Sequence, residues 1–487
     1  MISPTINTTS SILYRSHVRD VCCQCVFCNQ HVYLAVTTTR YGTGSVLVQR
    51  LTHSGIGANF HVGNLGVPLE RMESLQMLSR EDVLIVRELA ARVAEIAALP
   101  VQDEKRALWR KLNAREPDRP MVMIDQVCWN EMETGGELSL RCRDRTCRAF
   151  ERHLRRTLHQ WDHFRVDMVV EPFVRIFKAV HNSGFGVQTK ADSRSTDPAN
   201  DVVALQFFNQ FETEDDLEKV RTPRISHDQA KTDHRLELAH ELFDGLLEVR
   251  LCGTEPYLSI WDVVAQWMGV ENALYALIDQ PDLVHGLVGR MTDGYLSMLD
   301  QLEEQGLLGG PQSLIHCTGA YTDDLPASGY SPDKPRAKDL WMFTMAQMFS
   351  TVSPQMFKEF EVDYTSRICE RFGLVYYGCC DPLDLKMDEV RMIPNVRKIS
   401  MSPWVDEERG AAEIGGDFVY SRKPNPAFLA FETFEPERVR EDLATTRNIC
   451  EKHDCPLEII LKDISTVRYE PERLSRWADV AMEVVAG

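Results

Sequence analysis

Arg367–Trp404, RICERFGLVYYGCCDPLDLKMDEVRMIPNVRKISMSPW, is the stretch whose reading decides the fold. Phe372-Gly373 closes a helix, and Leu374 to Tyr377 is a short apolar run of β-prone residues. Gly378 lets the chain turn, presenting Cys379, Cys380 and Asp381 before Pro382 blocks continuation. A second short strand, Val396 to Met401, ends in Ser402, Trp404 and Asp406. Helix, strand, turn, short helix, strand is the rhythm of a βα repeat, which gathers its strand ends at one mouth and keeps its chemistry there. Two thiols beside a carboxylate at such an end make a candidate site.

The full length of 487 residues suits one large barrel with additions, or two or three ordinary domains. A hydrophobic fraction of 44% and a charged fraction of 26% are those of a soluble globular protein. The formal net charge of −19 argues against nucleic acid as a partner, because phosphate binding needs clustered Lys and Arg. Basic residues do gather between Arg141 and Arg165, but with the spacing of a solvated helix face. No run of about 18 apolar residues predicts a membrane span. No basic-then-apolar start predicts a secretory signal. The 14 cysteines are therefore expected as reduced, metal-bound or buried thiols in the cytoplasm.

Working outward, residues 1–76 lack helical period and hold Cys22, Cys23, Cys25, Cys28 and His31. Thiols two residues apart can reach one metal, but no second pair follows at the usual distance. The segment reads as a poorly ordered or non-native extension. Residues 77–118 form a helical lead-in, starting where Ser79 precedes Asp82 as an N-cap signal. From 119 to 487 strand-like and helical runs alternate. The strand-like runs include Pro120–Asp125, Val166–Val170, Ser313–Cys317, Asp339–Met345, the two in the opening stretch, and Phe418–Ser421 as the last inner strand. An edge hairpin including Val202–Phe208 interrupts the rhythm. About eight such runs separated by helices predict an α/β fold of the (β/α)8, or TIM barrel, type.

The expected chemistry sits at the strand ends. His316, Cys317, Cys379 and Cys380 are the soft donors there, and three such ligands with one open position suit catalytic zinc. The alternative is that they are small buried residues. Asp125, Glu171 and Asp381 are candidate acid–base groups, whereas Asp406, before Glu407-Glu408, fits a helix cap better. Trp129, Gln347, Tyr376, Tyr377 and Trp404 would line a pocket, and Lys423 and Asn425 would hold an anionic group.

Trp267-Met-Gly-Val-Glu-Asn-Ala-Leu, Gln280-Pro-Asp-Leu-Val, the helix start at Ser353-Pro-Gln-Met-Phe and Arg422-Lys-Pro-Asn-Pro426 occur in this order. In that order they resemble the uroporphyrinogen decarboxylase superfamily, which also contains corrinoid-dependent methyltransferases. The resemblance covers about residues 80 to 487 and implies a barrel with its site at the C-terminal mouth. The Arg-rich segment that grips acid-armed tetrapyrroles is absent, since Ile124-Asp-Gln-Val-Cys-Trp129 stands there. A ring of carboxylates would repel such a substrate. The methyltransferase branch holds zinc through His-x-Cys-Gly where this chain has Tyr377-Gly-Cys-Cys380. The expectation is a zinc-dependent methyltransferase served by a partner corrinoid protein or acting on a thiol. A decarboxylase is the alternative, and a non-catalytic binding barrel the third reading.

Overall fold

Ser79 caps α1 (Arg80–Ala97), its Oγ accepting from Asp82 N at 3.1 Å. The computed structural model describes residues 32–33, 78–194 and 203–487, so the Cys22–Cys28 cluster lies outside the described residues. The apolar stripe of α1, from Ile85 to Val93, packs on Phe150, Leu154 and Leu158 of α3 (Arg145–His163). Between them, α2 (Pro100–Asn113) turns Trp109 and Leu112 against Met121, Cys317, Val419 and Ile460, covering the inner face of the main sheet.

That sheet has six parallel strands: β1 (Met121–Ile124), β4 (Trp341–Thr344), β5 (Leu374–Tyr377), β6 (Val396–Met401), β7 (Val419–Arg422) and β8 (Leu457–Leu461), in the order β4-β5-β6-β7-β8-β1. Two further parallel strands, β2 (Phe173–Phe177) and β3 (Glu248–Cys252), pair with each other and with no other strand among the described residues. A single bridge, Tyr257 to Phe343, links the chain after β3 to β4. No ladder joins β1 to β2 among the described residues, so the sheet is α/β and open. A cavity of about 110 Å³ fills the gap, lined from β1 by Met123, Ile124 and Asp125 and from β2 by Phe173, Val174 and Arg175.

Strand alternation divides the residues between two faces. Val122, Val375, Tyr377, Ile399, Met401, Tyr420 and Ile459 join the large core beneath the helices. Phe343, Tyr376, Lys398, Ser421, Glu458 and Ile460 occupy the other, inner face. The hairpin Leu314–Ile315/Thr318–Gly319 lies against that inner face, with His316 and Cys317 at its tip.

Three strand expectations are corrected. Ser313–Cys317 is one arm and the tip of this antiparallel hairpin, because Thr318 pairs back onto Ile315. Val166–Val170 carries no ladder; β2 begins three residues later, at Phe173, after Pro172. Phe418–Ser421 is not the last inner strand, since Leu457–Leu461 follows it with Glu458 on its inner face. No helix among the described residues is long and apolar enough to cross a membrane.

Candidate active site

The C-terminal ends of the strands turn sharply. Gln126 and Asp463, beyond β1 and β8, take φ of 50° and 57°, and the two turns are stitched by Ile464 N donating to Gln126 O at 3.2 Å. Gly378, at φ +87°, ends β5, and a Cβ there would stand 2.6 Å from Leu383 Cδ1. Only glycine fits this turn, which re-aims the following Cys379 to the inner face. His316 is left-handed without being glycine, at φ 52°, and is held by stacking on Phe343 at 4.0 Å between ring centroids.

These turns bring four groups together. Cys379 Sγ lies 3.7 Å from His316 Nε2, 3.0 Å from Lys462 Nζ and 3.8 Å from Cys380 Sγ. Cys380 Sγ points to Asp463 Oδ2 at 3.7 Å, and Lys462 Nζ is 2.9 Å from the same oxygen. Burial lowers the pKa of His316, leaving a neutral imidazole at pH 7. Burial pushes the Cys317 thiol up to about 12, opposed by Lys423 and Lys462 and assisted by Asp125 and Cys379.

One step deeper on the inner face stands a network of buried charge. Glu458 accepts from Lys398 Nζ at 2.7 Å, Thr318 Oγ1 at 2.7 Å and Ser421 Oγ at 2.5 Å. Burial opposes its ionisation, but Lys398, Lys423 and Ser421 outweigh that and hold its carboxyl below the ordinary range. Lys423 Nζ donates to Tyr376 OH at 2.5 Å, Ser421 Oγ at 2.6 Å and Ser421 O at 3.3 Å, with no carboxylate among these partners. Burial lowers its pKa, and so it does for Lys398.

No family model and no curated protein matches this chain.

A third group lies on the helix-facing side of β5. The helical run after Ser353 widens into a π turn at Lys358–Val362, which sets Glu361 inward. Tyr377 OH donates to Glu361 Oε1 at 3.1 Å, while Glu361 Oε2 is buried with no hydrogen-bond partner among the described residues. Burial raises the Glu361 carboxyl to about 8, with Asp381 and Asp262 adding to the rise. Asp381 accepts from Cys379 N through Oδ1 at 3.1 Å, and its Oδ2 is buried with no hydrogen-bond partner among the described residues. Asp262, on α4 (Ile260–Met268), is raised well above the usual range by burial and is bonded by Tyr257 OH at 2.5 Å.

The predicted residues divide accordingly. Asp125 stands at the site, raised to about 6 by burial although Lys462 pulls it down. Glu171 precedes β2 instead of ending a strand and is tied to Arg106 at 2.8 Å and to Ser313 and Tyr321, at the cavity wall. Tyr377 faces the helices, and Tyr376 is the tyrosine of the inner face. Trp404 is 53% exposed, Asn425 Oδ1 caps Ala427 N at 3.0 Å, and Trp129 lies edge-on to His159. Gln347 is buried beside Asp262. Asp406 caps a helix through Arg409 N at 3.0 Å.

For the zinc expectation, two donor separations are of the right size. Tetrahedral ligands on one zinc stand about 3.6 Å apart for N and S and about 3.8 Å for two sulfurs. Yet His316, Cys379 and Cys380 do not form a set mutually within 4.8 Å; among the described residues that set is Glu137, His159 and His163. Cys317 packs among Met121, Met123, Val419 and Ile460, and the Lys462 ammonium stands against the Cys379 sulfur. As placed, these donors do not fit a zinc centre.

Lys398, Lys462, Glu458, Glu361 and Asp262 were not anticipated from sequence. Glu458 and Lys462 stand four residues apart in Leu457-Glu-Ile-Ile-Leu-Lys462, an even spacing that puts both on one face of a strand with Ile460 between them. Glu361 carries no such signal, because Lys358-Glu-Phe-Glu-Val reads as an ordinary amphipathic turn.

Proposed function

We propose that this chain is a (β/α)8-type enzyme, akin to the uroporphyrinogen decarboxylase-like barrels, that removes CO2 from a small carboxylate. The observation that carries this reading is Lys423: a buried ammonium at the end of β7 whose hydrogen-bond partners are all neutral. A substrate carboxylate or carbonyl oxygen would take one of its three N–H groups from these neutral acceptors, since buried cations bind anions strongly where water is excluded. The carboxylate ring inferred from sequence would have repelled such a substrate. On the inner face the buried Lys398, Lys423 and Lys462 stand beside the carboxylates of Glu458 and Asp463, and Asp125 is held towards its neutral form. In the reaction the C–C bond breaks, its electron pair stays on carbon facing the ammonium, and CO2 leaves. Asp125, raised to about 6, then delivers the proton that takes its place. A cavity of about 110 Å³ is lined by Asp125. The ten described cysteines are all free thiols, which fits residence in the reducing cytoplasm.

The test uses the full chain. Small carboxylates should raise its melting temperature where their matched amides do not, and Lys423→Met should remove that difference. Asp125→Asn should retain the shift but lower CO2 release about 100-fold or more. Equal shifts by acids and amides would sink the proposal.

A second reading, methyl transfer, is favoured by one contact. Lys462 Nζ at 3.0 Å from Cys379 Sγ is the setting of a stabilised thiolate, which attacks a methyl carbon readily. A corrinoid protein would be the donor class. A methylated product with no CO2 released would select this reading.

A further inference from the structure

We propose that Glu137, His159 and His163 form a binding site for a divalent transition-metal ion, apart from the strand ends and independent of the reaction assigned to them. His159 and His163 are four residues apart at the end of α3, so their rings share one helix face, with centroids 4.3 Å apart. The loop after β1 brings Glu137 onto that face, anchored by Arg155 Nη1 donating to Glu137 O at 2.9 Å. Arg155 thereby engages the backbone and leaves the carboxylate to the imidazoles. Glu137 Oε2 lies 3.2 Å from His159 Nδ1 and 2.9 Å from His163 Nε2. Metal–ligand bonds of about 2.0–2.2 Å separate neighbouring ligands by about 2.9–3.4 Å, so both spans already match one ion. All three ligand atoms fall within 4.8 Å of one another.

Without an ion, the carboxylate bridges the two rings by hydrogen bonds, which preorganises the ligands. Ligation needs neutral imidazole, and burial holds His159 below its ordinary pKa. His159 is 2% exposed and forms the rigid corner, edge-on to Trp129 and Phe164. Glu137 at 51% and His163 at 36% open the site to solvent, which can supply the ion and the remaining water ligands. Two imidazoles and one carboxylate suit Zn²⁺, Ni²⁺ or Cu²⁺ rather than Mg²⁺ or Ca²⁺. The ion would clamp the β1–α3 loop to α3. Glu131 of the same loop already accepts from Thr466 Oγ1 and Val467 N, on the loop that follows β8.

The experiment is calorimetric titration of Zn²⁺ into chelator-treated full-length protein carrying Cys379→Ser and Cys380→Ser, so that the thiols at the strand ends cannot take the ion. Adding His163→Ala, and separately Glu137→Gln, should remove one ion per chain or weaken its binding about 10-fold or more. Both positions are half-exposed, and an unchanged melting temperature in the metal-free state shows that the variants fold. Titrations unchanged by both substitutions, or no binding before them, would overturn the site.

Discussion

Two sides of β5 bury ionisable groups equally and treat them in opposite ways. On the inner face, Glu458 remains charged because two lysines and two hydroxyls converge on it. On the helix-facing side, Glu361 and Asp381 each keep an oxygen without a hydrogen bond and are driven towards the neutral acid. Burial alone therefore decides nothing. What decides is whether the neighbours supply positive charge and donors to repay desolvation. The first arrangement is a scaffold that fixes where Lys423 stands. The second is a store of protons beside the turn that carries Cys379.

The largest test of this contrast removes a carboxylate from each side in turn. Glu458→Leu should destabilise the chain by about 3–5 kcal/mol in urea denaturation, because it strands the Lys398 ammonium 0% exposed. Lys398→Met added to it should recover most of the loss, since two apolar groups replace a buried pair at little cost. A Glu458→Leu chain of unchanged stability would mean that the lysines are neutral already, and the contrast would collapse.

On the other side the same kind of change should have the opposite sign. Burial raises the Glu361 carboxyl to about 8 in the folded chain, from an ordinary value of 4.5. Between those values the native state holds a proton that the unfolded state has lost, so stability falls as pH rises through the window. Glu361→Gln is neutral throughout and escapes that loss. It should leave stability nearly unchanged at about pH 5 and raise it by about 1–4 kcal/mol at about pH 9, read as melting temperature at each pH. An equal effect at both values would show that Glu361 ionises normally.

How much of this was legible in the sequence depends on which face a residue uses. Leu374–Tyr377 was readable to the residue as a continuous apolar run between turn formers, and Val396–Met401, despite Arg397 and Lys398, by its place between Pro394-Asn395 and Pro403. Glu248–Cys252 was not, because Glu248 and Arg250 alternate with its apolar residues, and in Leu457–Leu461 Glu458 interrupts the apolar run. Cys379 and Asp381 were found through Gly378 and Pro382, which announce the turn. Tyr376 and Tyr377 were both expected to line the pocket, but strand neighbours point to opposite faces, and of the two Tyr376 takes the inner one. His316 and Cys317 were placed on a barrel strand, yet they reach the site from a hairpin tip that only long-range pairing with the sheet could reveal.

The finest test asks what Tyr377 contributes once its place beneath the helices is accepted. Its hydroxyl donates to Glu361 Oε1 at 3.1 Å, and a donor stabilises the ionised carboxylate more than the neutral acid. Tyr377→Phe removes that preference while keeping the ring that packs edge-on against Phe357. The Glu361 pKa should rise further, and stability should fall by about 1 kcal/mol, because the lost bond leaves a buried oxygen without a donor. The two effects separate in one experiment. In a Glu361→Gln background the pH dependence of the Tyr377→Phe effect should vanish, while a smaller, pH-independent loss remains. Should the loss keep its pH dependence there, Tyr377 acts on a different acid, and Asp381, whose charge also bears on Tyr377, is the neighbour to substitute next.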